Sequence, residues 1–457
     1  MNQDTICCIS TALGQGAISL IRVSGSNAIN ITNRFFKSYT KKALSKVESN
    51  KAIVGQILDQ NDIIDEVIVT IFRSPKSYTG ENIIEIACHG SAYIQDKIIQ
   101  LLIEHGCRLA NRGEFTLRAF LNGKLDLSQA EAVAELIASD NKKAHNLALK
   151  QMRGGITAEI KLLRDRFIKF GALIELELDF SGEDVEFADR NEFLILIQEI
   201  KNKVKNLLKS FKYGNVIKHG IPITIVGNPN SGKSTLLNNI IQEERAIVSN
   251  IEGTTRDTIE ESITIDGYKL RFTDTAGLRQ TNNEIEKIGI AKTYNKINQS
   301  AFVLYLFDKM NINTKNLNDE IIKIRHKASE GVNIIILANK SDLNNKKIDL
   351  SNSEHIINIS AKTGDGIEKV LNYIIAEIEK WKDFSDDIII TNQRHFQSLT
   401  NVLSSTKEVE NGIKSNLSGE FLAIDIKKCL QSLGEITGEI TNENLLDSIF
   451  RDFCIGK

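Results

Sequence analysis

The sequence predicts a doubly wound α/β domain inserted into an α-helical domain, the two preceded by a smaller α/β domain. Three observations predict it. Between about residues 219 and 382, short apolar runs alternate with helical stretches, the pattern of a sheet covered by helices on both faces. The first of these runs, Ile-Thr-Ile-Val, leads directly into a Gly-containing loop and a helix. Long helical periodicity, rich in Leu, Ile, Lys and Glu, lies on both sides.

Residues 1–118 read as the smaller α/β domain. Apolar runs at 17–23, 66–72 and 83–87 have strand length, Gly-containing breaks separate them, and a helical stretch covers 92–105. From Leu127 the texture turns helical. Ser128 with Glu131 has the capping-box spacing ahead of Ala130, Val133, Ala134 and Ile137. Periodic runs at 156–179 and 191–211 follow, so residues 119–217 read as the first segment of the helical domain. Periodicity from 392 to 457 makes residues 383–457 its second segment. Within 218–382, runs at 221–226, 262–265, 269–273, 301–307, 332–338 and 356–359 read as strands, and Asp266-Gly267 as a tight hairpin turn.

A chain of 457 residues carries a soft prior of about three domains. Hydrophobic residues make up 41% and charged residues 25%, the balance of an ordinary globular protein. No apolar run approaches the roughly 18 residues of a spanning helix. The opening MNQDTICCISTALGQG carries Asp4 and no basic region, which argues against a secretory signal. A cytoplasmic location without membrane contact is expected. A net charge of −2 excludes a global basic field, so any RNA contact must come from a local patch. None of the six cysteines forms a C-x-x-C pair, which argues against zinc. Cys454 is singled out by its place in Cys-Ile-Gly-Lys.

The chemistry concentrates in the central segment. Gly227 to Ser234 is a complete G-x-x-x-x-G-K-S pattern in strand-then-helix context, with Asn230, Ser231, Gly232, Lys233, Ser234 and Thr235 around the phosphates. Its backbone N–H groups and the helix N-terminus suit an anion; Lys233 reaches the outer phosphates and Ser234 can ligate Mg²⁺. Asp274-Thr275-Ala276-Gly277 follows a strand as a D-x-x-G element. There Asp274 would hold the metal through water, and the Gly277 amide would sense the γ-phosphate. Gly253-Thr254-Thr255-Arg256-Asp257 lies between them, where a first switch belongs, and Thr255 is the candidate second Mg²⁺ ligand. Asn339-Lys340-Ser341-Asp342 matches N-K-x-D. The Asp342 carboxylate can accept from guanine N1–H and the 2-amino group, a donor pair adenine lacks. Ser360-Ala361-Lys362 supplies the last base contact. Together these predict GTP binding and hydrolysis. The Gln that orients water just after D-x-x-G in Ras-like enzymes is replaced by Leu278, so another group must act, and Glu284 and Glu286 are the carboxylates at hand.

The whole chain resembles the tRNA-modification GTPase MnmE (TrmE) family. Gly-Thr-Thr-Arg-Asp, Asp-Thr-Ala-Gly-Leu-Arg, Glu-Ile-Glu-Lys-Ile-Gly, Phe-Leu-Asn-Gly-Lys-Leu-Asp-Leu, Gly-Glu-Ile-Thr-Gly-Glu and the terminal Cys-Ile-Gly-Lys carry the resemblance. It implies a folate-binding N-terminal domain, a two-segment helical domain, an inserted GTPase domain and a homodimer formed through the N-terminal domains. It implies work with an FAD-dependent partner, MnmG, in a heterotetramer or larger complex. Together they would install an aminomethyl-type group on carbon 5 of the tRNA wobble uridine, the one-carbon unit coming from a tetrahydrofolate derivative in its 5-formyl or methylene form. Folate contacts carry over to Arg22, Glu85, Lys124 and Lys457. Potassium ligands carry over to Asn230, Ser249, Ile251 and Thr254, with Ser249 and Thr254 also counted in the GTP site, and Glu286 is favoured for orienting the attacking water. The chain departs from the family at Thr11-Ala12-Leu13-Gly14-Gln15-Gly16, where prolines are usual, and at Ser91 in place of a common Gly. A ribosome-assembly GTPase and a folate-binding aminomethyltransferase with an accessory GTPase are the alternatives.

Overall fold

Strand-length apolar runs pair into two separate sheets. The computed structural model describes residues 4–12, 14–179, 190–243, 260–274, 295–310, 314–329, 332–343, 356–382, 388–441, 443–451, 453 and 456. They fall into two units: residues 1–138 with 148–197 and 404–457, and residues 139–147 with 198–403.

In the first unit, β1 (Thr5–Ile9), β2 (Gly16–Ser24), β3 (Phe36–Ser38), β4 (Lys51–Asp59), β5 (Asp62–Phe72), β6 (Ile83–Gly90) and β7 (Cys107–Leu109) form one sheet in the order β3-β4-β5-β6-β2-β1-β7. All pairs are antiparallel except β1 with β7. The period of two is clear in β5: Val67, Val69 and Ile71 point into the core while Glu66 and Ile68 point out. Helices α1 (Ala28–Thr32) and α2 (Ala92–Glu104) belong to the same core, to which Ile29 and Ile31 of α1 and Ile98, Leu101 and Leu102 of α2 contribute.

Helices α3 (Glu114–Leu121) and α4 (Leu127–Ala138) follow. The capping box of α4 lies two residues before the expected Ser128–Glu131 pair. The Asp126 carboxylate accepts from the Gln129 amide at 2.9 Å, and the Gln129 side chain accepts from the Asp126 amide at 3.0 Å. Ser128 is buried and donates its hydroxyl to Asp126 instead. Helices α5 (Lys142–Met152), α6 (Gly155–Asp179) and α7 (Arg190–His219) come next. Ile160, Leu163, Phe167, Phe170 and Ile174 form the buried stripe of α6 at three- and four-residue spacing.

The second unit is built on β8 (Ile221–Gly227), β9 (Glu260–Ile265), β10 (Tyr268–Asp274), β11 (Phe302–Asp308), β12 (Asn333–Asn339) and β13 (Ile356–Asn358), in the order β13-β12-β11-β8-β10-β9. Every pair is parallel except β9 with β10, whose turn takes left-handed backbone at Asp266 (φ 49°) and Gly267 (φ 79°), as the Asp-Gly pair predicts. β11 buries six consecutive residues, Phe302 to Phe307, because helices cover both faces of a parallel sheet. α8 (Lys233–Glu243) and α10 (Ile367–Lys380) pack on one face and α9 (Thr314–Lys327) on the other. Helical segments close the chain: α11 (Gln393–Lys414), α12 (Gly419–Thr437) and α13 (Glu443–Arg451). The architecture is an N-terminal α/β domain, a helical domain and a P-loop GTPase sheet. Among the described residues no helix is long and apolar enough to cross a membrane.

Candidate active site

The strand order of the second sheet reverses at β8, which lies between β11 and β10. In an open α/β sheet, the crevice beyond the carboxyl ends of the strands at such a point receives ligands. β8 ends at Gly227 and α8 starts at Lys233, so residues 228–232 bridge the crevice. Two glycines make the bridge possible. A Cβ on Gly227 would lie 2.0 Å from the Leu306 carbonyl oxygen, and one on Gly232 would lie 2.3 Å from Asn339 Nδ2. Asn230 holds a left-handed backbone at φ 60° and is exposed.

Lys233 is buried and donates from Nζ to the carbonyls of Gly227 (3.0 Å) and Asn228 (2.8 Å), which curls the loop around its ammonium. Ser234 and Thr235 are exposed on the first turn of α8. Ser231 is buried, and its hydroxyl has no hydrogen-bond partner among the described residues. A backbone cradle that a Cβ would fill, a lysine inside it and hydroxyls at an open helix N-terminus fit a polyphosphate, with Ser234 free to ligate a divalent ion.

Asn339 binds two loops at once. Its Nδ2 donates to the Ser231 carbonyl (2.7 Å), and its Oδ1 accepts from the Ala361 amide (2.8 Å). The phosphate loop and the Ser360-Ala361-Lys362 loop are thereby tied through a side chain only 3% exposed. Lys340 takes φ 66° and pairs with Asp308 at 2.7 Å. Asp342 and Lys362 are exposed. Ser360 is buried in a tight turn, its carbonyl accepting from Gly364 N at 2.9 Å and its Oγ from Thr363 N at 3.3 Å. Nothing in the sequence pattern marked Asp308, or Lys309, whose Nζ donates to Asn358 at 2.9 Å. Asp308 ends the apolar strand β11 and Lys309 follows it, which is the only signal they carry.

The backbone of Asp274 ends β10 opposite Ile225 of β8, at the same edge. Ser249, Ile251, Thr254, Thr255, Thr275, Ala276, Gly277, Leu278, Glu284 and Glu286 lie outside the described residues.

The residues carried over for folate meet in the first unit. Arg22 of β2 and Glu85 of β6 are register partners, and the guanidinium donates to one carboxylate oxygen from Nε (3.0 Å) and Nη2 (2.7 Å). The Arg22 Cζ lies 5.7 Å from the ring centroids of both Tyr78 and Phe115. The Gly456 carbonyl accepts from Arg22 Nη1 at 3.5 Å and from Ser10 Oγ at 3.4 Å, so the residue before Lys457 reaches this pair. Cys8 lies beneath it, and burial pushes its thiol up to about 11. Lys124 is exposed and donates to the Pro75 carbonyl at 2.9 Å, in the loop that carries Tyr78. Lys457 and Cys454 lie outside the described residues. A cavity of about 530 Å³ opens beside α3 and α13; its Arg108 and Arg118 are paired with Asp4, Glu81 and Glu114.

Two family models match. The MnmE helical domain matches residues 127–454, and the GTP-binding protein TrmE N-terminus matches residues 5–124. The chain is 49% identical over 466 residues to the tRNA modification GTPase MnmE of Flavobacterium johnsoniae, covering all of both chains. It is 50% identical over 458 residues to that of Flavobacterium psychrophilum, covering 99% of each. It is 47% identical over 471 residues to that of Bacteroides fragilis, again covering all of both.

Proposed function

The chain belongs to the tRNA modification GTPase MnmE family, and from that premise we propose how its parts divide the work. It is a GTP-hydrolysing enzyme of tRNA modification. One observation carries the nucleotide reading: β8, β10, β12 and β13 end at one edge of the sheet, and Asn339 joins two of the loops that follow them.

Lys233 and the loop amides bind the phosphates, and Ser234 with Thr255 would hold Mg²⁺. Asp342, with Lys340 and the 360–362 loop, selects guanine. Magnesium, when bound, supplies charge neutralisation at the phosphate oxygens. Asn230, with oxygens of Ser249, Ile251 and Thr254, would hold a potassium ion that offsets charge developing in the transition state. Glu286 would orient the attacking water in place of the missing Gln.

The pocket of Arg22, Glu85, Lys124 and Lys457 would take a tetrahydrofolate derivative. The Glu85 carboxylate is suited to pterin N–H donors and the cations to its glutamate tail. The FAD-dependent partner MnmG would share the modification of carbon 5 on the wobble uridine. Homodimerisation through the N-terminal sheet is supported by its outward face, where Ile18 (69% exposed), Val54 (51%) and Ile68 (47%) lie uncovered. The domain limits 1–118, 119–217, 218–382 and 383–457 are part of the same proposal.

Mass analysis of wobble uridines from cells lacking the chain tests the function: loss of a carbon-5 substituent is expected, and an unchanged profile overturns it. At equal ionic strength, GTP turnover should be faster in potassium than in sodium. It should fall by orders of magnitude in Glu286→Ala but not in Glu284→Ala. Equal rates in the two salts reject the ion, and loss confined to Glu284→Ala rejects Glu286.

A further inference from the structure

The β9–β10 hairpin is continuous in chain with both segments that would sense the nucleotide. β9 begins three residues after Asp257, and β10 ends at Asp274. At the other end of β10, about 20 Å away along the strand, the hairpin tip is clamped. Tyr268, 1% exposed, donates its hydroxyl to Glu379 in the last turn of α10, and that hydroxyl lies 3.0 Å from the hydroxyl of Tyr213 in α7. Glu379 also accepts from Lys143 of α5 at 3.0 Å and from Lys382. Burial alone would raise the Glu379 pKa, yet Lys382, Tyr268 and Lys143 together hold it down to about 2.

The residues on either side of Tyr268 are held by the same segment. A Cβ on Gly267 would come within 3.2 Å of Lys143 Cγ, and Lys269 pairs with Asp140. The Lys143 ammonium lies 3.9 Å from the centroid of the Tyr268 ring. Residues 267–269 thus rest on residues 140–143 through a half-exposed carboxylate, two buried phenols and two ammonium groups. Tyr213 and Tyr268 are the buried members of this network, so either phenol that loses its partner leaves a buried polar group unsatisfied. Six paired positions make the hairpin stiff along its length.

We propose that this cluster is a relay, in which Tyr268 and Glu379 are positioning residues that turn a nucleotide-driven shift of the β9–β10 hairpin into a shift of residues 140–143. The proposal rests on the GTP reading of the crevice. A reporter is built in: Trp381, the sole tryptophan, lies between Glu379 and Lys382, stacked 5.5 Å from Phe302 with Lys212 Nζ 5.1 Å from its ring.

The test compares Trp381 emission with GDP and with the non-hydrolysable analogue guanosine 5′-(βγ-imido)triphosphate, each with magnesium and potassium. The wild type should give different emission with the two nucleotides. Tyr268→Phe, which keeps the ring over Lys143, should shrink that difference at least about twofold. Calorimetric affinity for both nucleotides should stay within about twofold. Glu379→Gln should act in the same direction. A merely structural role would lower the melting temperature and leave the nucleotide-dependent difference intact, which overturns the relay. An unchanged Trp381 signal in a wild type that binds both nucleotides also overturns it. Failure of the wild type to bind either nucleotide overturns the GTP reading itself, and the relay with it.

Discussion

The amide of Asn339 uses both its oxygen and its nitrogen on backbone groups of two different loops. In Asn339→Ala the Ala361 amide and the Ser231 carbonyl lose their partners in a buried place, at about 1–3 kcal/mol each. Asp342, three residues on, is exposed. The two substitutions should therefore separate. Asn339→Ala should lower the melting temperature of the protein by several degrees and weaken all guanine nucleotides. Asp342→Asn should leave melting unchanged, weaken GTP on the order of 10²-fold or more, and recover affinity for xanthosine triphosphate. Titration calorimetry with the two triphosphates decides it: equal GTP affinity in Asp342→Asn and wild type would remove the base-recognition role. The N-K-x-D spacing singles out Asn339, Lys340 and Asp342 in the sequence. The tie made by Asn339 is not legible there, because it depends on three loops meeting in space. Asp308, the partner of Lys340, carries no motif of its own.

At the scale of elements, the phosphate loop is shaped by where its glycines lie against neighbouring backbone. Gly227 is hemmed in by the Leu306 carbonyl of β11, to which β8 is hydrogen-bonded, so an added Cβ has nowhere to go. Gly123, with φ 67° and nothing within 4 Å of an added Cβ, provides the control. Gly123→Ala meets the left-handed backbone cost alone, about 1–2 kcal/mol. Gly227→Ala should cost more and should also abolish nucleotide binding, which thermal unfolding and calorimetry would register together. A Gly227→Ala protein as stable as Gly123→Ala would mean that the strand yields at this point. Elements with strong periodicity were legible. The parallel strands and the Asp-Gly hairpin fell where apolar runs and turn chemistry put them, with ends extended by a residue or two by pairing: β9 starts at Glu260 and β10 takes in Tyr268 and Asp274. β3 and β7, three residues each, lack the length to form a pattern and exist because a neighbouring strand pairs with them. The capping box of α4 falls two residues before the Ser128–Glu131 spacing because Asp126, as good a cap as Ser, has Gln129 at the matching position.

At the scale of the whole molecule, the two candidate sites belong to different units and draw on different stretches of chain. Gly456 touches Arg22 and Ser10 in the first unit. Deleting residues 454–457 should leave potassium-dependent GTP turnover within about twofold of the full chain. The same deletion should abolish wobble modification in cells that depend on it, and normal modification by the shortened protein would refute the assignment of the pocket. The contact also has a consequence for biosynthesis. Gly456 and Arg22 are 434 positions apart in sequence, so their bond closes only after residue 456 has left the ribosome, long after the sheet carrying Arg22 has emerged. A chain cut short before residue 456 would lack one wall of the Arg22 pocket.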